Sequence, residues 1–282
     1  MATEPRSDTF DIGGEVTVHR LGFGAMRLTG ENIIGRPDDP DAATDVLSRA
    51  VDLGINFFDT ADSYGPGVSE RLLRESLHPY PDELVIATKG GLLRNRSGDW
   101  IPRGDPDYLR NALLCSLDRL GVDKIDLYQY HRPDPDVPFA DSITALAELK
   151  DDGVINHIGL SNVDVTQLDQ AREIVEIATV QNEYNVAVRD SESVLEACEN
   201  ANIGFMPWSP IGAGSIEKRV PALESVAEAH EATHHQIALA WLLQHSPVML
   251  PIPGTSSIEH LEENAAAADI ELSEDEYRQL RD

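Results

Sequence analysis

Lysine is scarce in this sequence. Only Lys89, Lys124, Lys150 and Lys218 occur, and all lysines and arginines together number 22 against 50 acids. The formal net charge of −28 makes nucleic acid and anionic membranes poor partners, because both repel such a surface. Cysteine is scarcer still. Cys115 and Cys198 each fall in a predicted helix, with no metal-type or disulfide-type spacing. They are expected to be reduced core residues of a cytoplasmic protein. His234 and His235 are adjacent in a helical stretch and are expected at the surface, so no metal site is predicted. No apolar run approaches the roughly 20 residues that span a bilayer. The opening stretch MATEPRSDTF lacks a basic segment leading into an apolar one, so no signal peptide is expected. A G-x-G-x-x-G phosphate turn is also missing after the first predicted strand, where LGFGAMRLTG stands.

The acids that dominate instead are spread along the chain, as in RPDDPDAATD, ALESVAEAHE and ELSEDEYRQLRD. Dispersal of this kind predicts a solvated acidic shell rather than an interaction tail. With so few lysines it points to a protein adapted to high salt, where ions screen the self-repulsion.

The 282 residues are expected to form a single domain, residues 1–282, with no low-complexity linker and no sequence repeat. Eight β-rich runs recur, at 18–26, 55–61, 84–90, 125–131, 157–162, 179–184, 204–210 and 248–254. Between them lie helical patterns such as DAATDVLSRAVDLG, DYLRNALLCSLDRLG, DSITALAELKDDG and DVTQLDQAREIVEIA. HHQIALAWLLQHS and SIEHLEENAAAA add helices around the eighth run. Eight alternations in one chain predict an α/β protein of the (β/α)8 TIM-barrel class. A doubly wound sheet also alternates, but it usually carries the glycine fingerprint that is missing here.

Polar side chains gather where the predicted strands end. In order they are Asp59 with Tyr64, Lys89, His131, Ser161 with Asn162, Gln181, and Trp208 with Ser209. Singly, each has a structural explanation: a satisfied core histidine, a snorkelling lysine, a packed indole. Together they imply an active site, since burying acid, ammonium and imidazole side by side requires pairing. The chemistry they suit is proton delivery to a carbonyl oxygen. A tyrosine near pKa 10 is a poor donor at neutrality, and a nearby ammonium held by a carboxylate is expected to lower that value. A histidine beside it is placed to orient the carbonyl. No nucleophile accompanies the set, so a reduction would draw its hydride from a cofactor.

The motifs LGFGAM, INFFDTADSYG, VIATKGG, IDLYQYHRPD, HIGLSNV, VQNEYN, WSPIGAG and IPGTSSIEHLEEN, in that order over residues 16–281, resemble those of the aldo-keto reductases. The resemblance implies an NADPH-dependent reductase of a small-molecule aldehyde or ketone, with NADH use possible. It makes Tyr64 the general acid, Lys89 and Asp59 its tuning pair, and His131 the group that orients the carbonyl. Ser161, Asn162 and Gln181 would hold the nicotinamide carboxamide, and Trp208 would stack on the ring. Ser209, Pro210, Ile211 and Gly212 of SPIGAG, with Gly254, Thr255, Ser256, His260, Glu263 and Asn264, would hold the rest of the dinucleotide. Many members carry a lysine and an arginine where this chain has Gly254 and His260, which implies a weaker preference for NADPH over NADH. HIGLSNV, VQNEYN, LAWLLQ and IPGTSSIEHLEEN look nearer to the bacterial and fungal pyridoxal reductases. Trp100 and Arg132, on the loops after strands three and four, are candidate substrate contacts. Arg94, Arg96 and Arg103 either join them or lie on the surface. Two other readings stand beside this one: a nucleotide-sensing subunit of the potassium-channel β type, and an isomerase or aldolase with Lys89 as Schiff base. A monomer or weak homo-oligomer is expected.

Overall fold

The computed structural model describes residues 8–212 and 216–281. It opens with an antiparallel hairpin, β1 (Thr9–Ile12) and β2 (Val16–His19). Strands β3 (Phe23–Gly24), β4 (Phe57–Asp59) and β5 (Val85–Gly90) follow. A second hairpin, β6 (Leu92–Arg94) and β7 (Trp100–Pro102), interrupts the series. The series then continues through β8 (Ile125–Tyr130), β9 (Ile155–Ser161), β10 (Ile177–Glu183) and β11 (Gly204–Trp208). Outside the hairpins these strands form one seven-stranded sheet, ordered β11-β10-β9-β8-β5-β4-β3, with every pairing parallel.

A parallel sheet needs long crossovers, and helices supply them. They are α1 (Pro40–Asp52), α2 (Val68–Leu77), α3 (Pro106–Leu120), α4 (Phe139–Asp151), α5 (Val165–Arg172) and α6 (Glu192–Ala201). After β11 come α7 (Ala222–Ala229), α8 (His234–His245), α9 (Ile258–Ala266) and α10 (Glu274–Arg281). Several helix starts are written in the chain: Asp39 and Asp105 accept from Ala42 and Tyr108 N–H groups, each with proline at the first helical position. Asp164 with Gln167 and Thr233 with Gln236 form capping boxes. Helices covering the sheet explain why strands such as β5 are buried at all six positions.

Four expectations need correction. The first run, 18–26, is not one strand: residues 16–19 pair within the hairpin, and only Phe23–Gly24 joins the parallel sheet. The run 248–254 forms no regular strand. Its backbone still reaches both sheet edges, since Phe205 N–H donates to Val248 O at 2.8 Å and Leu250 N–H to Phe205 O at 2.7 Å. On the other side Gly22 N–H donates to Pro251 O at 2.9 Å and Gly24 N–H to Pro253 O at 3.2 Å. Pro251 and Pro253 have no N–H to return, so a regular ladder is impossible there. Helix α5 stops at Arg172, and the following Ile-Val-rich stretch feeds β10. Cys198 is buried as expected, but Cys115 is exposed.

With all seven strands parallel, their C-terminal ends share one edge. Asp59 ends β4, Lys89 is the penultimate residue of β5, His131 follows β8, and Ser161 ends β9.

Candidate active site

Lys89 is the hub of that edge. Its Nζ donates to Asp59 Oδ2 at 2.6 Å, to Thr60 O at 2.9 Å and to Tyr64 Oη at 3.3 Å, and its side chain is 0% exposed. Asp59 is clamped from its other oxygen by Gln129 Nε2 at 3.0 Å and Gln181 Nε2 at 2.9 Å. Burial alone would drive Lys89 toward the neutral amine. Asp59 and Tyr64 more than offset it, and the lysine pKa ends above its ordinary value. A charged lysine with all three protons engaged has no free electron pair, which removes the Schiff-base reading.

Tyr64 departs from the sequence expectation. Its pKa lies above the ordinary tyrosine value, because burial raises it and Asp59 adds to the rise, while the Lys89 ammonium pulls it down without prevailing. In this state Tyr64 is a protonated phenol. Lys89 donates to its oxygen, so the phenolic proton is left to point elsewhere. His131 stands at right angles to it, with ring centroids 5.8 Å apart. Burial, then Lys89 and Arg132, push the imidazole pKa well below its usual value, so the ring is neutral. Its Nδ1 lies 3.3 Å from Ser63 Oγ.

The amide group of Asn162 ties three strands together. Its Nδ2 donates to His131 O at 3.0 Å and to Ser161 Oγ at 2.9 Å, and its Oδ1 accepts from Trp208 Nε1 at 3.2 Å. Its backbone N–H donates to Gln181 O at 3.0 Å. Asn162 and Ser209 both hold left-handed backbone, at φ 58° and 57°. Neither is glycine, and such strain collects where a site must be held in shape. Asn185 Nδ2 steadies the second of them by donating to Ser209 O at 3.0 Å.

Hairpin β6–β7 brings Trp100 over this group, edge-on to Tyr64 with centroids 6.3 Å apart. The Arg94 guanidinium lies 3.6 Å from the centre of the Trp100 ring. Arg94 is itself pinned by the carbonyls of Ile33, Asn32 and Gly98. It therefore props Trp100, whereas Arg96 and Arg103 are exposed.

A cavity of about 560 Å³ collects most of the predicted residues. Asp59, Tyr64, Trp100, His131, Arg132, Ser161, Asn162, Gln181, Trp208, Ser209, Pro210, Ile211 and Gly254 line it. Lys89 sits behind this wall, fully buried. Gly212 adopts φ 62° in the turn beyond Ile211, while Ala213 and Gly214 of the same motif lie outside the described residues. Thr255, Ser256, His260, Glu263 and Asn264 do not reach the cavity wall. They continue from Gly254 into α9, with Thr255 and Asn264 buried and Ser256 and His260 exposed.

Sequence reasoning missed Gly24, Met26, Arg27, Ile33, Leu92 and Ile252, which also line the cavity. The signal for two of them, Gly24 and Met26, was at hand, because LGFGAM was singled out as a motif and its individual residues were given no role; Arg27 follows it directly. A side-chain carbon on Gly254 would stand 2.5 Å from Gly24 O, and one on Gly24 would stand 2.6 Å from Ile252 O. The two backbones therefore require glycine at both places, and Arg27 passes alongside Gly254.

A family model described as "Aldo/keto reductase family" matches residues 20–282. An uncharacterised oxidoreductase of Schizosaccharomyces pombe is 49% identical over 95% of this chain and 87% of its own length. Pyridoxine 4-dehydrogenase of Escherichia coli is 43% identical over 95% of this chain and 96% of its own length. Among solved structures, an aldo-keto reductase from Klebsiella pneumoniae in complex with NADPH superposes with a TM-score of 0.82 at 26% identity. That match covers 97% of this chain and 94% of the other. The glycerol dehydrogenase from Gluconobacter oxydans superposes with a TM-score of 0.88 at 27% identity, over 97% and 94% of the two chains.

Proposed function

The chain belongs to the aldo/keto reductase family, and on that premise we propose that it is an NADP-dependent oxidoreductase that reduces an aldehyde or ketone to an alcohol. One observation carries the reading: the Lys89–Asp59 pair, Tyr64 and His131 converge at one end of one cavity. Nothing in the comparisons supports a nucleotide-sensing subunit. The seven-stranded sheet, whose two edges bond to the 248–253 segment, supports reading the fold as a (β/α)8 barrel in one domain.

The residues present fit a nicotinamide dinucleotide. The Trp208 indole is fixed through Asn162 and offers a flat face to the cavity. Ser161, Asn162 and Gln181 place polar groups at the same wall, suited to a carboxamide. Ser209 to Gly212 form a turn with left-handed backbone at both ends, and Gly24 against Gly254 leaves close-packed bare backbone nearby. Arg27 adds a positive charge for phosphate beside Gly254. Thr255, Ser256, His260, Glu263 and Asn264 would extend this surface toward the distant end of the dinucleotide. When bound, NADPH supplies the hydride.

The proton comes from this chain. Tyr64 donates its phenolic proton to the carbonyl oxygen, and Lys89 stabilises the tyrosinate left behind. Asp59 keeps Lys89 in place against the cost of burial. His131, neutral, orients the oxygen from the side and shares its growing negative charge. Trp100 and Arg132 at the mouth are the proposed substrate contacts, an aromatic face and a positive charge. With the relationship to pyridoxine 4-dehydrogenase, they favour a polar aromatic aldehyde of the pyridoxal kind. The test is loss of NADPH absorbance with a panel containing pyridoxal, benzaldehydes and sugar aldehydes. Turnover of pyridoxal above the others supports the substrate. No turnover with any carbonyl, in either direction, overturns the function.

A further inference from the structure

Ser63 stands directly before Tyr64 in the stretch Asp62-Ser63-Tyr64, and the sequence reading gives it no role. Its side chain does not line the cavity, and the residue is 1% exposed. Its Oγ lies 3.3 Å from His131 Nδ1, the one partner of that hydroxyl among the described residues. The geometry points to Ser63 as a positioning residue that holds His131 in the Nε2–H tautomer, so that the ring presents a donor to the substrate's carbonyl oxygen. The inference rests on the carbonyl-reductase reading and assigns a residue that acts through His131 without touching substrate.

The argument follows from hydrogen-bond inventory. A neutral imidazole has one donor nitrogen and one acceptor nitrogen, and a hydroxyl has one proton to place. Burial beside Lys89 and Arg132 keeps His131 neutral, so both nitrogens cannot be donors at once. If Nδ1 carried the proton, it would donate to Ser63 Oγ, and the serine proton would be buried with no acceptor. If Nδ1 is bare, Ser63 donates to it and both groups are satisfied. Nδ1 bare means Nε2 protonated. The backbone of His131 is also held, since Asn162 Nδ2 donates to its carbonyl at 3.0 Å.

The consequence is a pair of donors aimed at one oxygen. Lys89 donates to Tyr64 Oη, which frees the phenolic proton, and Ser63 donates to Nδ1, which frees the Nε2 proton. In the reduction the Tyr64 proton is transferred to the new alcohol, while the Nε2 proton stays on the ring. The opposite tautomer would place a lone pair against the carbonyl oxygen and repel it as negative charge develops.

Nitrogen NMR of the 15N-labelled protein at neutral pH reads the tautomer directly. His131 is assigned among the nine histidines by the loss of its signals in His131→Gln. The expected wild-type spectrum has a pyridine-type Nδ1 and a pyrrole-type Nε2. Ser63→Ala should mix the two forms and lower kcat about 3- to 10-fold, the worth of one neutral hydrogen bond. The KM for NADPH should stay constant. Ser63→Thr, which keeps a hydroxyl, should return both the spectrum and most of the rate. A protonated Nδ1 in the wild type overturns the assignment, whatever the variants do and whether or not Ser63→Ala folds. So does a Ser63→Ala protein with unchanged nitrogen signals and unchanged kcat. Should the wild type turn over no carbonyl, the function fails while the spectrum still reports on the tautomer.

Discussion

Lys89 Nζ donates to Asp59 Oδ2 at 2.6 Å, with the lysine side chain 0% exposed and the aspartate side chain 3% exposed. A pair buried this deeply is costly to assemble and costly to break, because removing one partner strands the other. Lys89→Met should therefore lose stability as well as rate, by about 3–5 kcal/mol for an uncompensated buried charge. Chemical denaturation of the purified variant measures it. Stability equal to wild type would mean that Asp59 finds another partner or a proton.

Tyr64→Phe separates chemistry from binding. The phenyl ring keeps the contacts to Trp100 and His131 but has no proton to give. Turnover should fall by on the order of 100- to 10,000-fold, with the dissociation constant for NADPH nearly unchanged by fluorescence titration. Wild-type turnover in the phenylalanine variant would remove Tyr64 from the mechanism.

Asp62, two residues earlier, makes stability depend on pH. Burial and the neighbouring Glu70 carboxylate push its pKa up to about 8, and its Oδ1 has no hydrogen-bond partner among the described residues. In the unfolded chain the carboxyl ionises near its ordinary value of 3.8. Between these two values the folded state holds a proton that the unfolded state has lost, so this stabilisation declines as pH rises through the window. Asp62→Asn is neutral throughout and should remove that decline. The variant's Tm relative to wild type should climb from pH 5 to pH 8.5. A constant difference would mean that Asp62 ionises normally in the fold.

The proposed weakening of the NADPH preference rests on two positions, Gly254 and His260, where a lysine and an arginine are not found. Packing against Gly24 O requires glycine at 254, so Gly254→Lys should destabilise the protein without strengthening phosphate binding. His260 is exposed in the first turn of α9, and an arginine there adds a permanent, bidentate donor. His260→Arg should raise the kcat/KM ratio of NADPH over NADH by on the order of tenfold. An unchanged ratio would place residue 260 away from the 2′-phosphate.

We propose that the net charge of −28 suits the protein to high salt. Screening relieves repulsion among surface acids, so Tm should rise from dilute buffer to molar KCl. A flat or falling Tm over that range would argue against it.

The order of strands and helices was legible because periodicity and capping are local. Asp105-Pro106 starts α3 and Thr233 with Gln236 starts α8, each within one turn of chain. The strand-end positions of Asp59, Lys89, His131 and Ser161 were legible for the same reason. What those residues become depended on partners far along the chain. Gln181 reaches Asp59 across 122 residues, and Ser63 reaches His131 across 68. The direction of the Tyr64 pKa is a contest between burial and a single ammonium, and burial exists only once the strands have assembled. The eighth segment reads locally as a strand. Two prolines deny it a regular ladder, and only the fold shows that its carbonyls still receive the N–H groups of Gly22 and Gly24. Sequence names the groups that carry chemistry; desolvation and long-range pairing, which arise on folding, decide their protonation states and where their protons point.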